Sequence, residues 1–205
     1  MLLGLSAGPA EAARVFAQQG DLFYIDDAGK GQQLTADRLN AAPVLSPDGK
    51  SVLYIHAVPL HAGSDPYAEP KFATELRLFD PKSGQSRLLL ASRPDADPQK
   101  SLEYFASPLF SLDGKSIYFL SRSADASTAL HRLELASGAE QYLGRASAVG
   151  LITRGKYAGH LVVQTRKVRG ERAIEEFWLI DGEGREERRI GTSVRQVELF
   201  IRSAQ

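Results

Sequence analysis

The stretch Ala42-Pro43-Val44-Leu45-Ser46-Pro47-Asp48-Gly49-Lys50-Ser51-Val52-Leu53-Tyr54-Ile55 recurs as Ser107-Pro108-Leu109-Phe110-Ser111-Leu112-Asp113-Gly114-Lys115-Ser116-Ile117-Tyr118-Phe119-Leu120. Each copy reads as an extended apolar run, a tight turn and a second β-rich run. Pro47 presets φ for turn entry, Asp48 can accept nearby backbone N–H groups, and Gly49 supplies the positive φ that the reversal needs. The same roles fall to Asp113 and Gly114, so these acidic residues have a complete structural explanation.

A second element follows each copy, at Leu76–Gln85 and Leu130–Ala139, with further copies at Phe23–Gln32 and Phe177–Arg185. In each, an acidic residue ends an apolar run and a Gly follows shortly, as in Asp80 with Gly84 or Glu134 with Gly138. Each is a strand–turn–strand. The two elements together make a unit of four strands, a-b-c-d, with one turn type between a and b and the other between c and d.

Gly31, Gly84, Gly138 and Gly184 are separated by roughly 45–55 residues, the spacing of propeller blades rather than of helical repeats. Three strands before Ala42 (14–17, 21–26 and 32–35), three full units and a last strand at Val194–Arg202 make sixteen, or four blades of four. The expected fold is an all-β propeller of four-stranded antiparallel blades over 14–205, with Val194–Arg202 completing the first blade, as a complete small ring or a piece of a larger one. Residues 1–13 read as the remnant of a signal peptide or a disordered terminus, because a short apolar run is followed by Ala10-Glu11-Ala12, a small-x-small cleavage pattern.

These repeats resemble those of TolB-type β-propellers, and are similar to the propeller domains of prolyl-oligopeptidase-like proteins. The resemblance is strongest over 42–143. It implies a periplasmic or secreted protein-binding module, with a place in bacterial envelope organisation. The alternative is a substrate-recognition or gating propeller associated with a hydrolase, or a truncated larger propeller.

Composition narrows the chemistry. With 25 Lys+Arg against 25 Asp+Glu, the 205-residue chain lacks the positive field that non-specific phosphate binding requires, so nucleic acid is not an expected partner. No Cys is present, which removes disulfides and thiolate zinc sites. No apolar run reaches the roughly 18 residues of a membrane span. No Gly-x-Ser-x-Gly elbow, phosphate loop or His-Glu-x-x-His occurs, so no catalytic residue, enzyme activity or cofactor is expected. His56 and His61, near Asp65 and Glu69, are weak metal candidates that match no ligand spacing. His131 and His160 read as half-buried or surface strand residues, and Trp178 as a packing residue within a strand.

Topology locates binding. In an antiparallel meander the a-b and c-d turns share one face, and the b-c and d-a connections share the other. The short repeated turns are all of the first kind. The segments 56–74, 92–105 and 166–172, read as irregular loops, are all of the second, and 56–74 is some 11 residues longer than its counterpart in the next unit. A protein partner is therefore expected on this face, with Tyr67, Lys71, Phe72, Tyr104 and Arg169 as contacts. Aromatic and Arg side chains are the types that anchor interfaces.

Overall fold

The structure is a computed structural model, describing residues 13–60, 71–97, 99–122, 128–169 and 172–205. Among them, β-rich runs separated by tight turns form four antiparallel sheets in chain order, and inner strands such as Val52–Ile55 and Ile117–Leu120 are continuously apolar. Blade 1 is β1 (Arg14–Gln18), β2 (Asp21–Ile25) and β3 (Gly31–Gln33). Blade 2 is β4 (Asn40–Leu45), β5 (Val52–Leu60), β6 (Lys71–Asp80) and β7 (Gln85–Ala91). Blade 3 is β8 (Glu103–Phe110), β9 (Ser116–Arg122), β10 (Thr128–Glu134) and β11 (Glu140–Arg145). Blade 4 is β12 (Ala148–Leu151), β13 (Leu161–Arg169), β14 (Arg172–Ile180) and β15 (Glu186–Gly191). Every strand pairs with its sequence neighbour, so each blade is the a-b-c-d meander that the repeats imply, with β1–β3 supplying b, c and d of the first.

A sheet with water on neither face must bury both, and here each blade does so against its neighbours. Leu22 of blade 1 packs with Val52, Tyr54 and Phe79 of blade 2. The opposite face of blade 2, carrying Leu53, Ile55 and Leu76, meets Phe105, Phe110, Ile117, Phe119 and Leu133 of blade 3. The far face of blade 3, with Tyr118, Leu120 and Leu130, meets Leu161, Val163 and Ile180 of blade 4. Among the described residues, no apolar cluster joins blade 4 back to blade 1.

The expected closing strand at Val194–Arg202 is instead a helix, α1 (Val194–Ser203), and blade 1 has three strands. The segment satisfies two periods at once. Val197, Leu199 and Ile201 alternate as in a strand, while Val194, Val197 and Ile201 recur at helical spacing. The local caps favour the helix. Ser193 accepts the Gln196 N–H, and the Gln196 side-chain oxygen accepts the Thr192 N–H at 2.7 Å, close to a capping box. Phe200 then stacks on Tyr157 of blade 4 at 5.2 Å, and the Lys156 N–H is accepted by the Ala204 carbonyl at 2.9 Å.

Two substitutions separate these contributions. Phe119→Ala, in the fully buried seam between blades 2 and 3, is expected to cost about 3–5 kcal/mol in denaturant unfolding. Ser193→Ala is expected to cost about 1 kcal/mol through the lost cap, read as a reduced helical signal before the main transition.

Candidate functional site

The turn face is built from side chains that satisfy their own backbone. Asp48 accepts the Ser46 hydroxyl at 2.7 Å and the Lys50 N–H at 3.2 Å, and Gly49 sits at φ 71°. Blade 3 repeats this with Ser111 at 2.7 Å, Lys115 at 3.1 Å and Gly114 at φ 68°. Gly114 lies beside Pro47, so adjacent a-b turns abut. Asp80 accepts the Lys82 N–H at 2.8 Å and the Ser83 hydroxyl at 2.9 Å, with Gly84 at φ 70°, and Gly138 closes the next c-d turn at φ 71°. The Ser46, Ser83 and Ser111 hydroxyls, and then the turn N–H groups, hold Asp48, Asp80 and Asp113 below the ordinary carboxylate range.

On the opposite face two blades extend beyond their sheets. In blade 2, Ala57–Leu60 pairs with Lys71–Thr74 past the last residues that β4 and β7 cover. In blade 4, Thr165–Arg169 pairs with Arg172–Glu176 beyond the reach of β12 and β15. The segments read from sequence as irregular loops are therefore largely two-stranded ribbons. The β-branched and aromatic residues Val58, Phe72 and Thr74 in blade 2, and Thr165, Val168 and Ile174 in blade 4, carry the b-c ladder past the flanking strands. Among the described residues blade 3 shows no such extension, since Glu103 pairs with Arg122 at the end of β9 and Arg145 with Ala129 near the start of β10.

A two-stranded ribbon is marginal by itself, and that of blade 4 is clamped at its base. Glu176 is buried, with Lys167 Nζ at 3.1 Å and Arg189 Nε at 3.5 Å, and Lys167 also lies 5.1 Å over the half-buried Trp178 ring. The Lys167 ammonium, supported by Arg189, holds the Glu176 carboxyl below its usual range.

The sequence-derived contact residues distribute over this face unevenly. Phe72 is half-buried in the blade 2 ribbon opposite Pro59, and Tyr104 is 49% exposed at a left-handed position of β8 (φ 47°). Lys71 pairs with Leu60 and Arg169 with Arg172 at the two ribbon ends, whereas Tyr67 lies outside the described residues. Leu60 and Val168, exposed by 48% and 74%, are apolar ribbon residues that sequence reading missed. Their signal was strand periodicity running on into segments taken as loops.

His56 does not present a free metal-binding edge at Nδ1. That atom lies 3.0 Å from Asn40 Oδ1, and Asn40 in turn donates to Asp37 and to Thr35 Oγ1. Among the described residues no group of three or more metal-ligating side chains gathers, and His61 lies outside them.

His131 corrects the sequence reading, because it is fully buried rather than half-buried. Its Nε2 lies 2.8 Å from Ser121 Oγ and its Nδ1 2.6 Å from Glu140 Oε1, while its ring stacks on Phe119 at 5.3 Å. Ser121 also reaches the Ser101 carbonyl at 3.3 Å, and Arg93 reaches Glu140 at 3.5 Å. The order Ser–His–carboxylate is that of a nucleophile, base and orienting acid, yet Ser121 is buried at the seam between blades 2 and 3. Ser121 is 2% exposed there. The network joins the segment after β7 to blade 3, and the alternation of Ile117, Phe119 and Ser121 was the signal that this face is internal. His160, half-buried, pairs with Glu187 at 2.8 Å.

Comparison with solved structures identifies the arrangement. The β-propeller domain of the Trilobed protease from Pyrococcus furiosus, described as having an open velcro topology, superposes with a TM-score of 0.54 at 13% identity, over 89% of this chain and 54% of that one. A putative TolB from Agrobacterium tumefaciens gives 0.53 at 17% identity, over 87% and 57%. The fold is of the β-propeller type, similar to that of TolB and of peptidase propeller domains. The uncomplexed acylaminoacyl peptidase from Pyrococcus horikoshii matches at 0.55 and 12% identity, over 85% of this chain and 28% of that one. The chain thus spans little more than half the length of the first two. No protein-family model matches it, and no curated protein matches it in sequence. At these identities the likeness is one of fold. No helix among the described residues is long and apolar enough to cross a membrane.

Two measurements test the propeller's polar turns and seam. Carboxylates with lowered pKa values stabilise the fold above their unfolded value and lose that contribution as pH falls through the folded one. The melting temperature should therefore drop on acidification below about pH 4, and Asp48→Ala combined with Asp80→Ala and Asp113→Ala should flatten this limb while lowering the plateau at neutral pH. His131→Ala should destabilise by about 3 kcal/mol, because it leaves a cavity and strips Ser121 and Glu140 of a buried partner.

Proposed function

We propose that this propeller is a non-enzymatic, extracytoplasmic protein-binding module whose contact surface is the ribbon face. The observation that carries the reading is the pair of projecting ribbons with exposed Leu60 and Val168, and Tyr104 exposed on the same end of blade 3. Apolar and aromatic groups held on rigid strands, with Arg and Lys beside them, are suited to a protein interface and lose little conformational entropy on binding. Lys71, Phe72 and Arg169 stand on those ribbons, and Tyr67 belongs to the segment between the strands of one of them.

Burial of the Ser121–His131–Glu140 chain supports the non-enzymatic reading, since the only such constellation among the described residues is sealed in a blade seam. The extracytoplasmic placement rests on Ala10-Glu11-Ala12 and on the TolB-type repeats. A role in organising a bacterial envelope follows from the same resemblance.

The test is capture of cross-linked partners from a periplasmic extract by the purified chain. Tyr104→Ala and Val168→Asp should each lower recovery of a specific partner at least about tenfold without changing the melting temperature, as truncation of an interface anchor does. Lys82→Ala, on the turn face, should leave recovery unchanged. Equal recovery by all variants would reject the ribbon face, and hydrolysis of ester or peptide substrates that Ser121→Ala abolishes would reject the non-enzymatic reading.

A further inference from the structure

The polar chain around His131 runs from blade 3 to the connection between β7 and β8, and its hydrogens can be counted. The imidazole Nδ1 lies 2.6 Å from Glu140 Oε1, and Nε2 lies 2.8 Å from Ser121 Oγ, which also reaches the Ser101 carbonyl at 3.3 Å. A carboxylate and a carbonyl only accept, and a hydroxyl has one hydrogen to give. With a neutral ring and an ionised Glu140, the ring N–H serves Glu140, and the Ser121 hydrogen serves either Nε2 or Ser101 but not both. One further proton completes every contact, because Nε2–H then donates to Ser121 and Ser121 donates to Ser101.

These contacts reach the ribbon face through the connection. Arg93 Nη2 lies 3.5 Å from the second Glu140 oxygen, and Arg93 pairs with Leu102 as an isolated bridge. Ser101 Oγ accepts the Asp95 N–H at 3.3 Å and donates to Glu103 at 3.0 Å. Tyr104 follows, exposed and at φ 47°, a conformation that a bulky residue keeps only where its surroundings impose it. Ser101, Ser121 and His131 are all buried, so a hydrogen bond lost among them leaves a buried polar group unpaired.

We infer that His131 is a positioning residue, a proton-operated latch that fixes the connection carrying Tyr104. With the proton bound, the chain from Glu140 to Ser101 is complete and holds the connection to blade 3. Loss of the proton gives up the Ser121–Ser101 contact and loosens it. Imidazole is the side chain that exchanges a proton between about pH 5 and 8, so the latch is closed on the acid side and open on the alkaline side. Among the described residues, the charged or titratable groups around the ring are Glu140 and Tyr142 on β11, the latter edge-on at 5.6 Å, with Arg93 beyond Glu140 and Glu103 beyond Ser101. Across the seam, blade 2 presents apolar Leu53, Ile55 and Leu76. Asp48, Asp80 and Asp113, held below the ordinary carboxylate range, stay ionised throughout this window and add no step to it. The consequence for binding rests on the partner face proposed above, whereas the latch itself does not.

The test is two-dimensional NMR of the full chain between about pH 5 and 9, with hydrogen exchange at the two ends of the range. The reporters are the amides of Ser101, Leu102 and Phe105, which donate to the Asp97 carbonyl, the Arg93 carbonyl and Thr74 Oγ1. Their shifts should follow the midpoint of the His131 ring. Their protection relative to the Phe119 amide should fall about tenfold as the ring loses its proton, the equivalent of about one net hydrogen bond. In Ser121→Ala the ring should still titrate while these amides no longer follow it. His131→Gln, which can bridge without titrating, should abolish the step, and circular dichroism melts show that both variants fold. Recovery of the periplasmic partner by the wild type should be about tenfold greater with the ring protonated, and independent of pH for His131→Gln. Amides without a step, or a step that survives in both variants, would overturn the latch. Equal recovery by the wild type across the range would overturn its hold on the contact surface. A titrating latch with no partner recovered at any pH would uphold the latch and reject the ribbon-face reading instead.

Discussion

Burial of both faces of each sheet is the constraint on which the rest of this structure depends. A four-stranded meander has two apolar faces and no helices from its own connections to cover them, so a blade is stable only between neighbours. The seams formed by Leu22 with Tyr54, Leu53 with Phe119, and Leu130 with Val163 are three solutions of the same problem. Their common geometry sets where the turns and ribbons lie. It also accounts for α1, which covers apolar surface on blade 4 that no blade occupies.

The seams are not uniformly apolar, and directed polar contacts cross them. On the face of blade 3 that meets blade 2, His131 exchanges hydrogen bonds with Ser121 and Glu140 of its own blade, while Thr74 Oγ1 accepts the Phe105 N–H at 2.9 Å across the seam. Between blades 3 and 4, the Tyr118 hydroxyl donates to the Gly182 carbonyl at 3.2 Å and Arg132 pairs with Glu183 at 2.6 Å. Such directed contacts hold neighbouring blades in one register, which apolar contact alone would not specify. Burial raises the Tyr118 hydroxyl pKa, which favours the protonated, donating form.

Division of labour between the two faces follows from strand polarity. The turn face consists of short reversals whose Asp and Ser side chains are engaged by their own turns. The ribbon face carries longer b and c strands in blades 2 and 4, which bear exposed Leu60 and Val168, and Tyr104 is exposed on β8 at the same end of blade 3. Variation is tolerated there because a ribbon that extends past its sheet changes no seam.

The repeats alone were sufficient for the four-unit β-architecture, because Ser46–Lys50 and Ser111–Lys115 encode a turn whose geometry depends only on nearby residues. The same locality made the strand order and the two faces legible. What the sequence left undetermined was every feature in which local and distant contacts compete. Val194–Arg202 satisfies strand and helix periods alike, and the cap at Ser193 together with the docking of Phe200 on Tyr157 decides for the helix. His131 and Ser121 stand ten residues apart on paired strands, and only the stacking of blade 3 on blade 2 turns them into a buried network.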